Sequence, residues 1–450
     1  MLEQDLDRRT HDPEAQFADI KPPLSDEYAV VEANRCLYCY EAPCMQACPT
    51  HIDVPEFIRR IGTRNVAGAA RTILEANALG ASCARVCPTE VLCEGMCVMH
   101  QMGMPAIDIG RLQRYATDHV MKHDIQVLGP PAPPNGRSVA VVGAGPAGLA
   151  AATELGLLGY QVVVFDDKPE PGGLNRYGIA PYKMTNQEAR DEVEYLRKTA
   201  GFTLKAGVRV GRDVTLEELE KEFAAIFLGV GLGSSRKLQI PGEDLPGVVG
   251  ATEWIEELRS KPYHEMKVGR RVVVVGAGNT AIDAATEASR LGAEQVTIVY
   301  RRGREEMPAY EFEYELALKD RVDFAWFTHP VAVLGGDKVT GLRCQKMQPG
   351  EPDASGRPRP VPVPGSEFEM PADLVIKATG QESQESLLSQ VKGLVLKSGK
   401  VVVSESYQTG NPRYFAGGDC LNGGKEVVNA VAHGRDAARS IHAYLNGKGA

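Results

Sequence analysis

The sequence predicts an α/β protein in which a helical, cysteine-rich N-terminal domain precedes two Rossmann-like nucleotide-binding domains, one inserted in the other. Three observations predict it. Eight of the ten cysteines fall between Cys36 and Cys97, a proline-rich stretch follows them, and a strand, glycine turn and helix pattern then occurs twice, opening at Val139 and at Val272. At 450 residues the chain is too long for one core and suits about three domains.

Apolar residues at Phe57, Ile58, Ile61, Ala69, Ala70, Ile73 and Leu74 recur at mostly three- and four-residue spacings, the mark of amphipathic helices. The first domain, residues 1–130, is therefore expected to be helical. Gln126 to Gly136 is rich in proline, which disfavours regular structure and marks a domain boundary. Beyond it, short β-branched runs are each followed by glycine and a helical stretch, the alternation of a parallel sheet. Val139 to Val142 and Val272 to Val275 open two such units, and Leu374 to Ala378 and Tyr414 to Ala416 are expected as strands of the first sheet. The outer domain would then span 137–252 and 373–450, with 253–372 inserted. The proline-rich Pro349 to Gly365 reads as a surface loop or hairpin excursion.

A net charge of -9 and 24% charged residues argue against a nucleic-acid surface, which shows a basic patch or stripe. Met1 to Asp19 lacks the apolar core of a signal peptide, and no apolar run reaches membrane length, so a soluble cytoplasmic protein is expected. Small substrates and protein partners fit this composition better.

The cysteines form two runs: Cys36, Cys39, Cys44 and Cys48-Pro49, then Cys83, Cys87-Pro88, Cys93 and Cys97. Close spacing lets a short loop wrap a compact cluster, and thiolates are the soft ligands that iron-sulfur centres select. Two [4Fe-4S] clusters are expected. In two-cluster ferredoxins the cysteine before proline ligates the other cluster, so Cys48 should leave its neighbours and the runs should interleave. Structural zinc would favour two CxxC pairs, whereas only Cys36 and Cys39 are so spaced; a disulfide framework conflicts with a cytoplasmic protein. Cys344 and Cys420 read as buried thiols.

Val139 to Gly148 contains Gly143, Gly145, Ala147 and Gly148, a GxGxxG turn between strand and helix, and Asp166 ends the next strand. The glycines let backbone approach a pyrophosphate at the helix N-terminus, and the acid can accept from a ribose hydroxyl. Gly173 and Leu174 follow closely, and Gly418-Asp419 closes a C-terminal strand before a helix expected over Glu426 to Leu445. Together these are candidate FAD contacts; a plain strand-turn-helix joint is the alternative for the C-terminal part. Gly276, Gly278, Asn279 and Thr280 repeat the nucleotide turn, and the next strand ends in Arg301-Arg302, with Arg304 near, rather than in an acid. Arginine there suits a 2'-phosphate, favouring NADPH over NADH. A solvated charge cluster with Glu305 and Glu306 is the competing reading. No cysteine lies between Cys97 and Cys344, so the flavin has no dithiol beside it, and no catalytic acid or base is evident.

With these motifs, Arg35-Cys-Leu-Tyr-Cys39, Ala42-Pro-Cys44, Cys48-Pro-Thr50, Asn65 to Ala70, Cys87-Pro-Thr89 and Ile109 to Gln113 make the chain resemble the N-terminal half of dihydropyrimidine dehydrogenase and its separate bacterial NAD(P)H-oxidising subunit. The glutamate synthase small subunit and the large subunit of a bifurcating transhydrogenase are similar. The resemblance implies one cluster on Cys36, Cys39, Cys44 and Cys97 and a second on Cys48, Cys87, Cys93 and Gln113, with Cys83 a bystander. It also implies an FMN-containing partner that reduces uracil or thymine, since a barrel of about 250 residues does not fit beside the three domains. The alternative is electron supply to glutamate synthesis; a redox sensor would have no use for a hydride donor. Tyr177-Gly-Ile-Ala-Pro-Tyr-Lys183 departs from the family's glycine-isoleucine-proline pattern by one alanine.

Overall fold

The structure is a computed structural model that describes residues 13–353 and 356–447. It divides into two compact units. Among the described residues, the larger comprises Asp19–Arg176, Lys183–Leu232 and 383–447, and the smaller comprises 13–18, Tyr177–Tyr182, 233–353 and 356–382.

In the larger unit the periodic apolar residues form the helices Val54–Gly62 and Val66–Ala76, and all seven are fully or almost fully buried. Polar side chains begin both helices: Asp53 accepts from the Glu56 N–H at 3.0 Å and Asn65 from the Gly68 N–H at 3.0 Å. Helices Gly80–Val86 and Ile109–Lys122 complete this layer. A five-stranded parallel sheet follows, in the order Tyr414–Ala416, Ala225–Leu228, Ser138–Val142, Gln161–Asp166, Thr203–Ala206. One hydrophobic core runs from Phe57 and Leu79 through Val141 to Phe415 and Ile441. The proline-rich stretch is therefore not a free spacer between bodies. Ala132 N–H donates to Leu157 O at 2.8 Å, Asn135 N–H to Gly159 O at 3.0 Å, and Arg71 reaches Val127 O at 2.7 Å. Proline content reports local backbone preference and says nothing of such packing.

The smaller unit holds a second five-stranded parallel sheet, ordered Val248–Gly250, Leu374–Lys377, Arg271–Val275, Gln295–Val299, Val322–Ala325. This corrects one expectation. Leu374–Lys377 pairs with Arg271–Val275 and so belongs to the second sheet, while Tyr414–Ala416 pairs with Ala225–Leu228 in the first, as expected. A short run such as Leu374-Val-Ile fits the middle of either buried sheet, so pattern alone does not decide its membership. The inserted part accordingly runs from Gly233 to Glu382 rather than over 253–372, and its ends meet where Gly233 N–H donates to Glu382 O at 2.7 Å. The proline-rich excursion is an antiparallel hairpin, Val339–Pro352 with Pro358–Pro371, whose register shifts at Pro349/Pro352. Prolines cannot donate to the ladder, and the shift falls among them. Among the described residues no helix is long and apolar enough to cross a membrane.

Candidate functional site

Cys36, Cys39, Cys44 and Cys97 line one pocket, with Leu37, Ile58 and Ile109 among the apolar residues around them. Burial raises the Cys36 thiol and pushes Cys44 up to about 12, with Cys36 and Cys97 adding to the Cys44 shift. Such thiols stay protonated unless cationic metal draws them into the thiolate form, so this donor set fits an iron-sulfur cluster. Among the described residues no three His, Cys, Asp or Glu side chains close on a single ion.

A second neighbourhood contains Cys48, Cys83, Cys87 and Cys93. Cys87 is raised chiefly by a hydrogen bond with the Cys83 thiol, then by burial and by the nearness of Cys93 and Cys48. Cys93 is raised by burial, with Glu94 and Cys48 adding to it. Cys83 thus lies within the group from which the resemblance omits it. Gln113 is buried and its amide donates to Gly80 O at 2.7 Å, one turn before Cys83 on the same helix.

At the first nucleotide turn Gly143 has φ +102°, and a Cβ on it would stand 2.3 Å from Gly229 O. A Cβ on Gly148 would stand 1.8 Å from Gly143 O. Only glycine permits this closeness, which is what lets backbone reach a pyrophosphate. Gly145 opens the helix Pro146–Leu157 with no side-chain cap, which leaves the helix start open to an anion. Ala147 lies in that helix's first turn, beneath the C-terminal helix Val427–Leu445, where a Cβ on Gly434 would stand 2.0 Å from Ala147 O. Asp166 accepts from the N–H groups of Ala144 at 2.6 Å and Lys168 at 2.9 Å. Burial raises its acid and those donors pull it back. It therefore braces the turn as well as standing where a ribose hydroxyl is expected. Gly173 comes so near that a Cβ on it would lie 2.7 Å from Gly145 Cα, and Leu174 beside it is exposed. Gly418 has φ +79° and donates its N–H to His433 Nδ1 at 3.2 Å; burial raises Asp419 next to it. His433 was invisible to motif reading, because its partner lies in the preceding turn and not in its own helix.

The second turn is built alike. Gly276 has φ +126° and a Cβ on it would stand 2.3 Å from Ala378 O, whereas a Cβ on Gly278 would meet nothing within 4 Å. Gly278 is the open face of the turn, at the start of helix Asn279–Arg290. Asn279 accepts from the Tyr310 N–H at 3.1 Å, and Thr280 is exposed at the helix start. The two adjacent arginines separate in role. Arg301 is exposed, while Arg302 is buried and donates to Asp353 at 2.6 Å and to Pro358 O at 3.1 Å. Arg304 pairs with Glu311 and lies over the Tyr314 ring at 4.5 Å. Neither pairs with Glu305 or Glu306; Glu306 instead accepts from the Gly303 N–H at 3.0 Å. His329, lowered by burial and by the charge of Arg301, is a neighbour that no motif announced.

Cys344 and Cys420 are buried free thiols, each pushed up to about 12 by burial. They lie in different units and make no dithiol.

Residues 13–125 match the family model described as dihydropyrimidine dehydrogenase domain II, 4Fe-4S cluster, and residues 137–434 that of the pyridine nucleotide-disulphide oxidoreductases. The chain is 38% identical to the glutamate synthase [NADPH] small chain of Halomonas elongata over 96% of its length and 94% of that relative. It is 36% identical to the NAD-dependent dihydropyrimidine dehydrogenase subunit PreT of Escherichia coli, over 97% of its length and 99% of that relative. Among solved structures, FprA of Mycobacterium tuberculosis in complex with NADPH superposes with a TM-score of 0.59 at 23% identity, covering 70% of this chain and 85% of that one. Thioredoxin reductase of T. acidophilum gives 0.53 at 22%, covering 69% and 99%. Both show the fold of the two nucleotide domains. The chain belongs to the pyridine nucleotide-disulphide oxidoreductase family, in the form that carries an N-terminal iron-sulfur domain, and is an NAD(P)H-dependent flavin and iron-sulfur oxidoreductase.

Proposed function

We propose that this chain is the electron-input subunit of a larger reductase, drawing hydride from NADPH and delivering single electrons to a partner that carries the final substrate. FAD supplies the step from a two-electron hydride to single electrons, and iron-sulfur clusters carry those electrons onward. The observation that carries the reading is the four-thiol pocket of Cys36, Cys39, Cys44 and Cys97 in the same compact unit as the Gly143–Gly148 turn, in a chain with no cysteine between Cys97 and Cys344. Its lining supports a partner: Leu37 and Met96 are exposed at 52% and 54%, and Tyr40, next to Cys39 in sequence, at 95%, apolar side chains that a docking subunit would cover.

The Gly143–Gly148 turn, Asp166, Gly173, Leu174, Gly418 and Asp419 would hold FAD; Gly276, Gly278, Asn279, Thr280 and Arg301 would hold the nicotinamide nucleotide. The second cluster would take Cys48, Cys87 and Cys93, completed by Cys83, whose thiol lies against Cys87. Gln113 then anchors the helix through Gly80.

The cysteine domain's match to dihydropyrimidine dehydrogenase supports an FMN-containing partner that reduces uracil or thymine. A second reading, electron supply for glutamate formation, is supported by the exposed Arg301, which suits the phosphate of NADPH, the nucleotide in the name of the 38% identical relative. Anaerobic purification, iron, sulfide and flavin counts and reduction by each nucleotide test the core proposal. Zinc in place of iron, or a flavin neither nucleotide bleaches, overturns it. Co-purified partners then separate the two readings by whether uracil or 2-oxoglutarate with glutamine oxidises the reduced complex.

A further inference from the structure

The helix Gly80–Val86 carries Cys83 and ends at Cys87, yet its own N-cap, Leu79, offers no side-chain acceptor. Its orphan N–H groups are met from 110 residues away in sequence. Glu192, on helix Asn186–Ala200, accepts from the Ala81 N–H at 2.8 Å, from the Ser82 N–H at 3.1 and 3.2 Å, and from the Ser82 hydroxyl. With its proton given to Glu192, the Ser82 oxygen is left to accept, and the Asn175 amide donates to it at 2.8 Å. Asn175 is buried and follows Gly172 and Gly173, the segment tied to the flavin turn by Gly172 N–H donating to Ala144 O at 2.8 Å. A hydrogen-bonded chain thus runs from the Gly143–Gly148 turn through Asn175 and Ser82 to the residue before Cys83.

Glu192 is 1% exposed, and burial pushes its acid up to about 7 against the pull of those donors and of Arg85. Burying a carboxylate is costly, and here the cost is offset by the three donors that it satisfies. What it does supply is direction: three donors converge on two oxygens and fix the helix start in one place.

We propose that Glu192, acting through Ser82 and Asn175, is a positioning residue that holds the second thiol group at a fixed distance from the flavin site, so that electrons pass between them. The inference rests on the electron-input reading above. Electron transfer falls off exponentially with distance, so a displacement of the thiol group away from the flavin site lowers the rate of cluster reduction directly.

The test is anaerobic stopped-flow of the intact protein with NADPH, following flavin bleaching and then the loss of iron-sulfur absorbance, for wild type, Glu192→Leu, Glu192→Gln, Ser82→Ala and Asn175→Leu. Flavin bleaching should stay near the wild-type rate, and cluster reduction should slow several-fold in Glu192→Leu at unchanged iron and flavin content. Glu192→Gln, which keeps one oxygen acceptor, should recover part of that rate. If Glu192→Leu loses iron, Asn175→Leu, which leaves the helix cap intact, decides the matter by the same two rates. Cluster reduction at the wild-type rate in cofactor-replete Glu192→Leu, or in Asn175→Leu where the former loses iron, overturns the inference. A wild-type flavin that NADPH does not bleach, or a wild type without iron, would instead overturn the reading on which it rests.

Discussion

Replacing Arg301 with alanine should raise the KM for NADPH about 10- to 100-fold, leave kcat for flavin reduction near wild type and leave NADH kinetics unchanged. The magnitude follows from the site. A hydrogen bond to a charged group contributes about 1.5–3 kcal/mol, and about 1.4 kcal/mol is tenfold. Arg301 is exposed, which places the effect toward the lower end, with His329 the nearest further contributor. NADH lacks the 2'-phosphate, so it loses nothing. Arg302→Ala provides the contrast. Its guanidinium is committed to Asp353 and Pro358 O, so its loss should cost roughly 2 kcal/mol of stability, less than for a fully buried pair because the Asp353 side chain is 25% exposed. The nucleotide preference should not move. The assay is steady-state flavin reduction with both nucleotides, together with thermal unfolding. An unchanged NADPH/NADH ratio in Arg301→Ala, or an equal change in Arg302→Ala, refutes the division of labour between the two arginines.

Cys83→Ala should cost one cluster, halving the iron per protein, whereas Gln113→Leu should keep both and lower only thermal stability; iron analysis and electron paramagnetic resonance of the reduced protein read the difference, and the opposite pattern would make Gln113 the ligand. Glu192 predicts a pH effect on stability. Its folded value, about 7, lies above the ordinary 4.5, so the folded state binds the proton more tightly and the stabilising contribution is complete below pH 4.5 and lost as pH rises through about 7. At about 1.4 kcal/mol per pH unit this amounts to about 3 kcal/mol, so Glu192→Gln should gain up to that much relative to wild type between pH 5 and pH 8 in denaturant titrations. A difference that stays flat across that range would show that the carboxyl is not shifted.

Much of the fold was legible because it is written in local pattern. Helical spacing at Phe57 to Leu74 and the strand-glycine-helix turns at Gly143 and Gly276 require only neighbours in sequence, and each formed at its expected place. The misplaced Leu374–Lys377 strand shows the limit, since sheet membership depends on pairing with Arg271–Val275, about 100 residues away. The same holds for the site. Arg301 and Arg302 are adjacent and chemically identical, and Asp353 and Pro358 O in the distant hairpin distinguish them. The Glu192 cap on Ala81 and Ser82 leaves no trace in the sequence, because capping patterns look three residues ahead and this one crosses 110.

The division into units follows the chemistry they carry. Single-electron passage needs donor and acceptor at a constant distance, and the cysteine helices share one hydrophobic core with the flavin sheet, from Leu79 and Cys83 to Val141 and Phe415. Close packing resists relative motion within such a core. A diffusible hydride donor has the opposite requirement, since it must arrive and leave at every turnover. Its turn is built in the other unit, with a sheet of its own and a separate core around Val274 and Ile298. A flavoprotein that reduces disulfides needs a dithiol beside the flavin. Here the only cysteines in the nucleotide domains are Cys344 and Cys420, one in each unit, buried and unpaired. With the electron outlet at the N-terminal thiols, as proposed above, the helices holding them must be locked to the flavin sheet. The shared core and the buried Glu192 cap are what that lock consists of.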